Sequence, residues 1–126
     1  MESRLRLSVS ESGVAAVDFA IIVTAFISMM FGIINIGLIL WDLGSMQYAV
    51  EAAARCASVD ATNCGSANAI QTFALTQYYG ESLASNPFTY AATGCGHTVT
   101  ASYTYSLNLP LVTTYSVPLA ATACFP

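Results

Sequence analysis

The sequence GVAAVDFAIIVTAFISMMFGIINIGLILW, residues 13–41, decides how this chain folds, because it carries one charge, Asp18, and none from Phe19 to Trp41. The 23 residues from Phe19 to Trp41 would extend about 35 Å as an α-helix at ~1.5 Å per residue, enough to cross a hydrocarbon core of ~30 Å. A secretory signal peptide has a shorter apolar core followed by a small-residue cleavage site, and no such site is evident soon after Trp41. The stretch therefore predicts a membrane-spanning helix.

The charges on either side of this span predict its orientation. Arg4 and Arg6 precede the span, whereas Asp42 and Glu51 follow it. Since basic residues near a span favour its cytoplasmic side, we expect the C-terminal part of the chain to lie outside the membrane.

The overall composition excludes several functional classes. The chain has 126 residues, a net charge of −4, three Arg and no Lys, so it offers no basic surface to a phosphate backbone and no nucleic-acid partner is expected. Its only histidine, His97, follows Gly-Cys-Gly with no acid nearby in sequence. No nucleophile with a base, no phosphate-binding loop and no metal-ligand cluster is recognisable. A non-catalytic protein without a cofactor or metal is the simplest interpretation.

One long helix is expected around the span. No Pro interrupts the chain from Val14 to Ala57, and the segment after Trp41 is rich in Ala, with Glu51 placed four residues before Arg55. Its 44 residues would extend about 66 Å at ~1.5 Å each, so a good third would project beyond the bilayer.

All four cysteines, Cys56, Cys64, Cys95 and Cys124, follow the span. An even number in a small exported domain indicates a disulfide framework. Three pairings are formally possible, and we favour Cys56 with Cys64, which joins a helix end to its loop, and Cys95 with Cys124, which ties the two ends of the tail. A zinc site assisted by His97 is the alternative, although the spacings lack the paired CxxC of such sites.

The tail predicts a second helix and a hairpin. Ser66 is a candidate N-cap for ANAIQTFALTQYYG, in which Ile70, Phe73, Ala74 and Tyr78 recur at roughly helical spacing. HTVTASYTYSL, residues 97–107, alternates apolar with polar residues, as a half-buried strand does. Pro110 and Pro118 bracket a loop or an edge, and Leu119 to Cys124 return as a second strand. The predicted fold class is α+β.

The N-terminal segment resembles a known family. GVAAVDFAIIVTAFISMMFGIINIGLILW, followed by MQYAVEAAARCASV, is similar to the TadE-like proteins, which are small pilin-like proteins of tight-adherence systems, and SYTYSLNLPLV and ATACFP are more loosely similar to their closing strands. The resemblance implies a minor-pilin or pseudopilin subunit in the bacterial inner membrane, with its C-terminal domain in the periplasm. It also implies a prepilin peptidase, the assembly machinery and other pilin subunits as partners, and incorporation in an adhesive, type IV-like pilus.

The family pattern assigns roles to the start of the helix. It places cleavage between Gly13 and Val14, which divides the chain into a leader (1–13), a long helix (14–58) and an exported disulfide-bonded domain (59–126). Asp18 then becomes the fifth mature residue, where the family usually has Glu, and Phe19 the sixth. We expect Asp18 to pair with the new N-terminal amine of a neighbouring subunit, since a lone carboxylate within a bilayer is unfavourable. The alternative is a carboxylate that is merely solvated at the cytoplasmic headgroup level.

The span also contains a row of small residues at four-residue spacing, which allows another helix to approach closely in lipid. The row consists of Ala16, Ala20, Thr24, Ser28 and Gly32. A helix that faces lipid without a partner is the alternative. Asn35 has two interpretations, a hydrogen bond to a partner helix or a local one, and Trp41 is expected to mark the outer membrane surface.

Two other classes of protein remain open at this point. The first is a single-pass membrane protein that keeps its leader and binds a partner in the periplasm. The second is a secreted disulfide-bonded domain from which the whole span has been removed. Cleavage after Gly13 separates the pilin-like interpretation from both.

Overall fold

Two helices are followed by three strands in the structure, a computed structural model that describes residues 5–107 and 114–126, with side chains described from residue 13 onward. Helix α1 spans Leu5–Val59 and helix α2 spans Ala67–Gln77. The strands are β1 (Phe88–Thr93), β2 (Gly96–Leu107) and β3 (Tyr115–Phe125), which form one antiparallel sheet in the order β1-β2-β3. This confirms the predicted α+β fold class.

The chain divides into two units, Met1–Ile36 and Gly37–Pro126. In the described part of the first unit the chain is helical, and most side chains are exposed. The second unit contains the rest of helix α1, helix α2 and the sheet. The hydrophobic core lies within this second unit.

Helix α1 is longer than the sequence analysis predicted, because it begins at Leu5 rather than Val14 and ends at Val59 rather than Ala57. No Pro or Gly separates Leu5 from Gly13, so nothing in the backbone opposes continuation of the helix in that direction. Its described part is long and apolar enough to cross a membrane. The side chains of Arg4 and Arg6 lie outside the described residues.

The core forms where one stripe of α1 meets α2 and one face of the sheet. The buried α1 side chains recur at intervals of three and four residues, which places them on one face of the helix. Most of them are small, so the helix and the sheet can pack closely. The buried core residues are Met46, Ala49, Val50, Ala53 and Ala54 from α1, Ile70 and Ala74 from α2, Phe88, Val99, Ala101, Leu119 and Ala121 from the sheet, and Cys64.

The connection between the helices is fixed by a disulfide and by one carboxylate. Cys56 and Cys64 are bonded, one of the two pairings that the sequence analysis favoured. Asp60 accepts hydrogen bonds from the side-chain and backbone amides of Asn63 and from the backbone N–H of Thr62. The Asn63 hydrogen bonds lower the pKa of Asp60 below its ordinary value.

Helix α2 begins as predicted and ends early. The Ser66 side chain accepts a hydrogen bond from the backbone N–H of Ala69 at 3.2 Å, which confirms the predicted N-cap. Tyr78, which the sequence analysis placed on the apolar face of this helix, lies just beyond its end in an extended conformation. The predicted placement of Tyr78 within the helix was therefore wrong. Its hydroxyl instead donates a hydrogen bond to the Asp42 side chain on helix α1.

The sheet contains one strand more than the predicted hairpin. Strand β1 pairs with β2 across the turn Gly94–Cys95, and the sequence analysis did not detect it. Strand β2 alternates as predicted: Val99 and Ala101 are buried and Tyr103 is half-buried on one face, while the side chains between them are more exposed. Gly96 has a φ of 126°, a left-handed conformation that side chains disfavour.

Strand β3 begins at Tyr115, four residues before the predicted start at Leu119. Pro118 lies within it, opposite Thr104, and is tolerated because β3 is an edge strand and need not donate on both sides. Cys124 bonds to Cys95, the second of the favoured pairings. Pro110 lies outside the described residues.

Candidate functional site

The residues of the predicted cleavage and assembly site lie on the first unit. Gly13 and Val14 are within helix α1, which continues through them without interruption. Val14, Asp18 and Phe19 are all exposed, and Phe19 keeps 68% of its surface accessible. In the described part of the chain, no hydrogen bond or ion pair engages the Asp18 carboxylate. The site is thus an accessible, apolar helix surface with one carboxylate on it.

The predicted small-residue row lies on the same unit. Thr24 donates its hydroxyl proton to the Ala20 carbonyl at 2.7 Å, and Ser28 donates to the Thr24 carbonyl at 2.8 Å. Both hydroxyls are therefore satisfied by their own helix and do not need a partner in lipid. A shallow open groove contains most of the row and is lined by Ala16, Val17, Ala20, Ile21, Thr24, Ala25 and Ser28.

A second candidate site lies in the second unit, at the end of the uncharged stretch, and the sequence analysis did not identify it. Asp42 on helix α1 is buried, with 2% of its surface accessible. Its Oδ1 accepts hydrogen bonds from the Tyr78 hydroxyl and from the backbone N–H of Glu81, the latter at 3.0 Å. Its Oδ2 is buried and has no partner among the described residues. A carboxylate this deeply buried is costly unless several groups donate to it.

Two further hydrogen bonds hold the same segment on helix α1. The backbone N–H of Tyr79 donates to the Ser45 hydroxyl at 2.6 Å. The Trp41 indole N–H donates to the Tyr79 carbonyl at 3.3 Å, while the ring itself stays 66% exposed. We call this set of contacts, between Trp41, Asp42 and Ser45 on the helix and residues 78–81, the Asp42 clamp.

Gly80 is required at the centre of the clamp. A Cβ atom at this position would overlap Asp42 Oδ1 and the Tyr78 hydroxyl, so only glycine lets the backbone pass this close to the carboxylate. The chain can therefore wrap around Asp42 between Tyr78 and Glu81. Glycine is required here for steric reasons, because the Asp42 and Tyr78 side chains occupy the space that a Cβ atom would take.

The clamp continues to the sheet through Glu81. The Tyr103 hydroxyl of strand β2 donates to Glu81 Oε2 at 3.1 Å. The pKa of Tyr103 is raised to about 12, mainly by burial and, to a smaller extent, by this hydrogen bond. Burial and the hydrogen bond to Asp42 likewise raise the pKa of Tyr78. Both tyrosines therefore remain neutral donors to carboxylates at physiological pH.

Sequence reasoning had little to identify the clamp. Asp42 directly follows an apolar span, where an acid is most simply a solvated charge. Its partners at Tyr78 and Glu81 are 36 and 39 residues away, so no local spacing connects them. The sequence signal for this segment was Gly80, which follows two tyrosines at the end of an amphipathic helix. A glycine in this position predicts a turn but does not indicate which residues the turn contacts.

His97 packs against Tyr90 of the neighbouring strand. Its Nδ1 lies 2.7 Å from the Tyr90 hydroxyl, and the two rings stack with centroids 5.9 Å apart. Among the described residues, no group of three or more His, Cys, Asp or Glu side chains is placed to hold a metal ion. These contacts give His97 a packing role between β1 and β2.

The fold and the site define a class of protein: a small disulfide-bonded α+β unit that follows an N-terminal helix apolar enough to cross a membrane. The family model described as TadE-like protein matches residues 13–55, which confirms the resemblance over the helix; the looser resemblance of the tail lies outside the match. The match begins at Gly13 and covers most of helix α1 but less than half of the chain. No curated protein and no solved structure matches the chain.

Proposed function

We propose that this protein is a minor pilin or pseudopilin, a non-catalytic subunit in the assembly of a tight-adherence pilus. The observation that carries the proposal is the family match, which begins at Gly13, the predicted cleavage residue, and runs through the whole apolar stretch to Arg55. The mature chain then starts at Val14 and is anchored in the inner membrane, with the disulfide-bonded unit in the periplasm. A prepilin peptidase, other pilin subunits and the assembly machinery are its partners.

The exposed apolar surface of the first unit supports insertion. Large side chains such as Phe19, Ile22 and Phe26 keep 68%, 66% and 62% of their surfaces accessible, and water is an unfavourable environment for so much apolar area. Lipid before assembly and neighbouring helices after it would both cover this surface. The same helix thus serves as an anchor and as an assembly element.

Asp18 has a specific role in this proposal. A carboxylate costs about 2.5–3.5 kcal/mol at the centre of a bilayer on insertion scales, and Asp18, at the cytoplasmic edge of the uncharged stretch, meets a smaller part of that cost. Cleavage after Gly13 creates an amine at Val14 that is largely protonated at neutral pH. Pairing between this amine and Asp18 of a neighbouring subunit would compensate the carboxylate and fix the axial position of one subunit against the next.

N-terminal sequencing of the protein from membranes of cells with and without a prepilin peptidase tests the proposal. The expected result is a start at Val14 that depends on the peptidase. An intact N-terminus in both strains would indicate the uncleaved membrane protein instead. A mature chain that lacks the whole span would indicate the secreted domain.

The Asp18 role is tested separately. We expect Asp18→Ala to insert into the membrane and to be cleaved, but not to enter filaments, whereas Asp18→Glu keeps the carboxylate and is incorporated. Wild-type levels of Asp18→Ala in sheared filaments would refute the pairing and leave the solvated carboxylate as the explanation.

A further inference from the structure

The Asp42 clamp exposes two aromatic side chains. Trp41 and Tyr79 each keep 66% of their surface accessible. The carboxylates of the clamp are instead directed to donors of the chain itself: Asp42 is buried, and Glu81 accepts a hydrogen bond from the Tyr103 hydroxyl of strand β2. The accessible surface of the clamp therefore includes two large rings that lie close together, one from helix α1 and one from the segment beyond helix α2.

The hydrogen bonds of the clamp fix the level of Tyr79 along helix α1. Its backbone N–H donates to the Ser45 hydroxyl and its carbonyl accepts from the Trp41 indole, so its backbone lies between these two levels of the helix. Four residues of helix separate the two levels by about 6 Å, at ~1.5 Å per residue. The headgroup layer on each side of the hydrocarbon core is about as thick, roughly 5–8 Å. When Trp41 lies at the inner edge of this layer, as the end of the uncharged stretch predicts, Tyr79 is held inside it.

We propose that the Trp41 and Tyr79 rings together dock the second unit on the headgroup layer of the periplasmic leaflet, an inference that rests on the membrane insertion proposed above. Trp and Tyr favour this layer because the apolar ring lies toward the acyl chains while the polar group reaches the headgroups. The Tyr79 hydroxyl is suited to this role, since it has no hydrogen-bond partner in the described part of the chain. The Asp42 clamp then holds at the membrane surface a ring that comes from beyond helix α2.

The small area of the two rings favours lipid over another protein as their partner. A large aromatic side chain buries about 150–250 Å², so two rings together offer about 300–500 Å². A stable protein–protein interface buries about 800 Å² on each partner. A bilayer surface requires no such area here, because helix α1 already anchors the chain and the rings need only partition into the adjacent layer.

Quenching of tryptophan fluorescence by brominated lipid tests the depth of the two rings. The full chain is reconstituted in vesicles of phosphatidylcholine and phosphatidylglycerol whose acyl chains carry bromine near the headgroup end. Both leaflets contain the quencher, so the result does not depend on the orientation of insertion. Trp41 is the only tryptophan of the sequence, so in the wild type it reports its own depth.

Two double variants move the indole to other positions. Trp41→Phe with Tyr79→Trp places it on the segment beyond helix α2. Trp41→Phe with Tyr48→Trp is the matched control, because Tyr48 is 56% exposed but lies about 10 Å beyond Trp41 along the same helix. Equal thermal unfolding midpoints show that both double variants are folded.

We expect the indole at position 79 to be quenched about as strongly as Trp41, and about twofold or more above the indole at position 48, which lies outside the headgroup layer. The single variants Tyr79→Trp and Tyr48→Trp, which keep Trp41 and its hydrogen bond, give the same comparison: the quenched fraction should fall for Tyr48→Trp alone. Quenching at position 79 that is no stronger than at position 48 would overturn the proposal.

The wild type separates this inference from the proposed function. If Trp41 itself escapes quenching, the membrane insertion fails and the docking inference fails with it. If Trp41 is quenched and the chain is cleaved to begin at Val14, but the indole at position 79 escapes quenching, only the docking inference fails.

Discussion

The Tyr78 hydroxyl donates a hydrogen bond to Asp42 Oδ1 across 36 residues of sequence. This contact joins the segment that follows α2 to helix α1, at the residue directly after the uncharged stretch. Because Asp42 is buried and its Oδ2 has no described partner, the carboxylate depends on the donors around Oδ1. The Asp42 clamp is therefore expected to contribute measurably to the stability of the second unit.

Replacing Asp42 tests that contribution. Asp42→Ala removes the acceptor for two donors, and we expect the free energy of unfolding to fall by about 2–3 kcal/mol. Asp42→Asn keeps an acceptor oxygen in place and should cost less. Urea unfolding of the full chain in detergent micelles, followed by the fluorescence of Trp41, measures both. Equal losses for the two variants would show that the charge, rather than the acceptor, is what the clamp requires.

Gly80→Ala tests the close approach of the backbone to Asp42. The added methyl group overlaps both Asp42 Oδ1 and the Tyr78 hydroxyl, so we expect a loss of stability of about 1–3 kcal/mol from overpacking. Gly44→Ala is the matched control, because a Cβ atom there meets nothing within 4 Å. In the interior of helix α1 it should stabilise by up to about 1 kcal/mol. Similar effects of the two substitutions on the thermal unfolding midpoint would contradict the steric argument.

The two disulfides should differ in what they contribute. The chain-entropy model assigns about 2.5 kcal/mol to Cys56–Cys64 and about 3.5 kcal/mol to Cys95–Cys124, since the second closes the longer loop; the sequence separations are 8 and 29 residues. Paired Cys→Ser variants that remove one disulfide each, compared by urea unfolding, measure the difference. A larger loss from removing the short-loop disulfide would mean that local packing around Cys64 outweighs loop entropy.

Alkaline pH should destabilise the fold through Tyr103. Its pKa of about 12 in the folded chain lies above the ordinary 10.0, so the folded state retains a proton that the unfolded chain loses. The stabilisation is complete below about pH 10 and declines as the pH rises toward about 12. Thermal unfolding across this range should show a falling midpoint, with a shallower decline for Tyr103→Phe. The raised pKa of Tyr78 acts in the same direction. If the unfolding midpoints of wild type and Tyr103→Phe fall in parallel as the pH rises, Tyr103 does not contribute to the loss of stability at alkaline pH.

Part of this architecture was predictable because its signals are local. The Ser66 cap depends on groups three residues apart, and the alternation of residues 97–107 reports a half-buried strand without knowledge of its partners. Strand β1 was missed because its short sequence, FTYAAT, carries little alternation and has only one buried side chain, Phe88. The start of helix α1 was predicted at Val14 because cleavage was predicted there, but a cleavage position does not interrupt a helix. A helix begins where the backbone or a capping residue prevents it from extending further, and no residue between Leu5 and Gly13 does so.

The sequence by itself determined that helix α1 is long and apolar enough to cross a membrane, because the length of an uncharged stretch and the thickness of a bilayer can be compared without any contact being known. The tertiary structure alone decided the role of Asp42. Whether an acid is solvated or buried depends on groups that folding brings to it, and here Tyr78 and Glu81 arrive from beyond helix α2. Gly80 is needed for the same reason, since the space it leaves is filled by side chains from two distant parts of the chain.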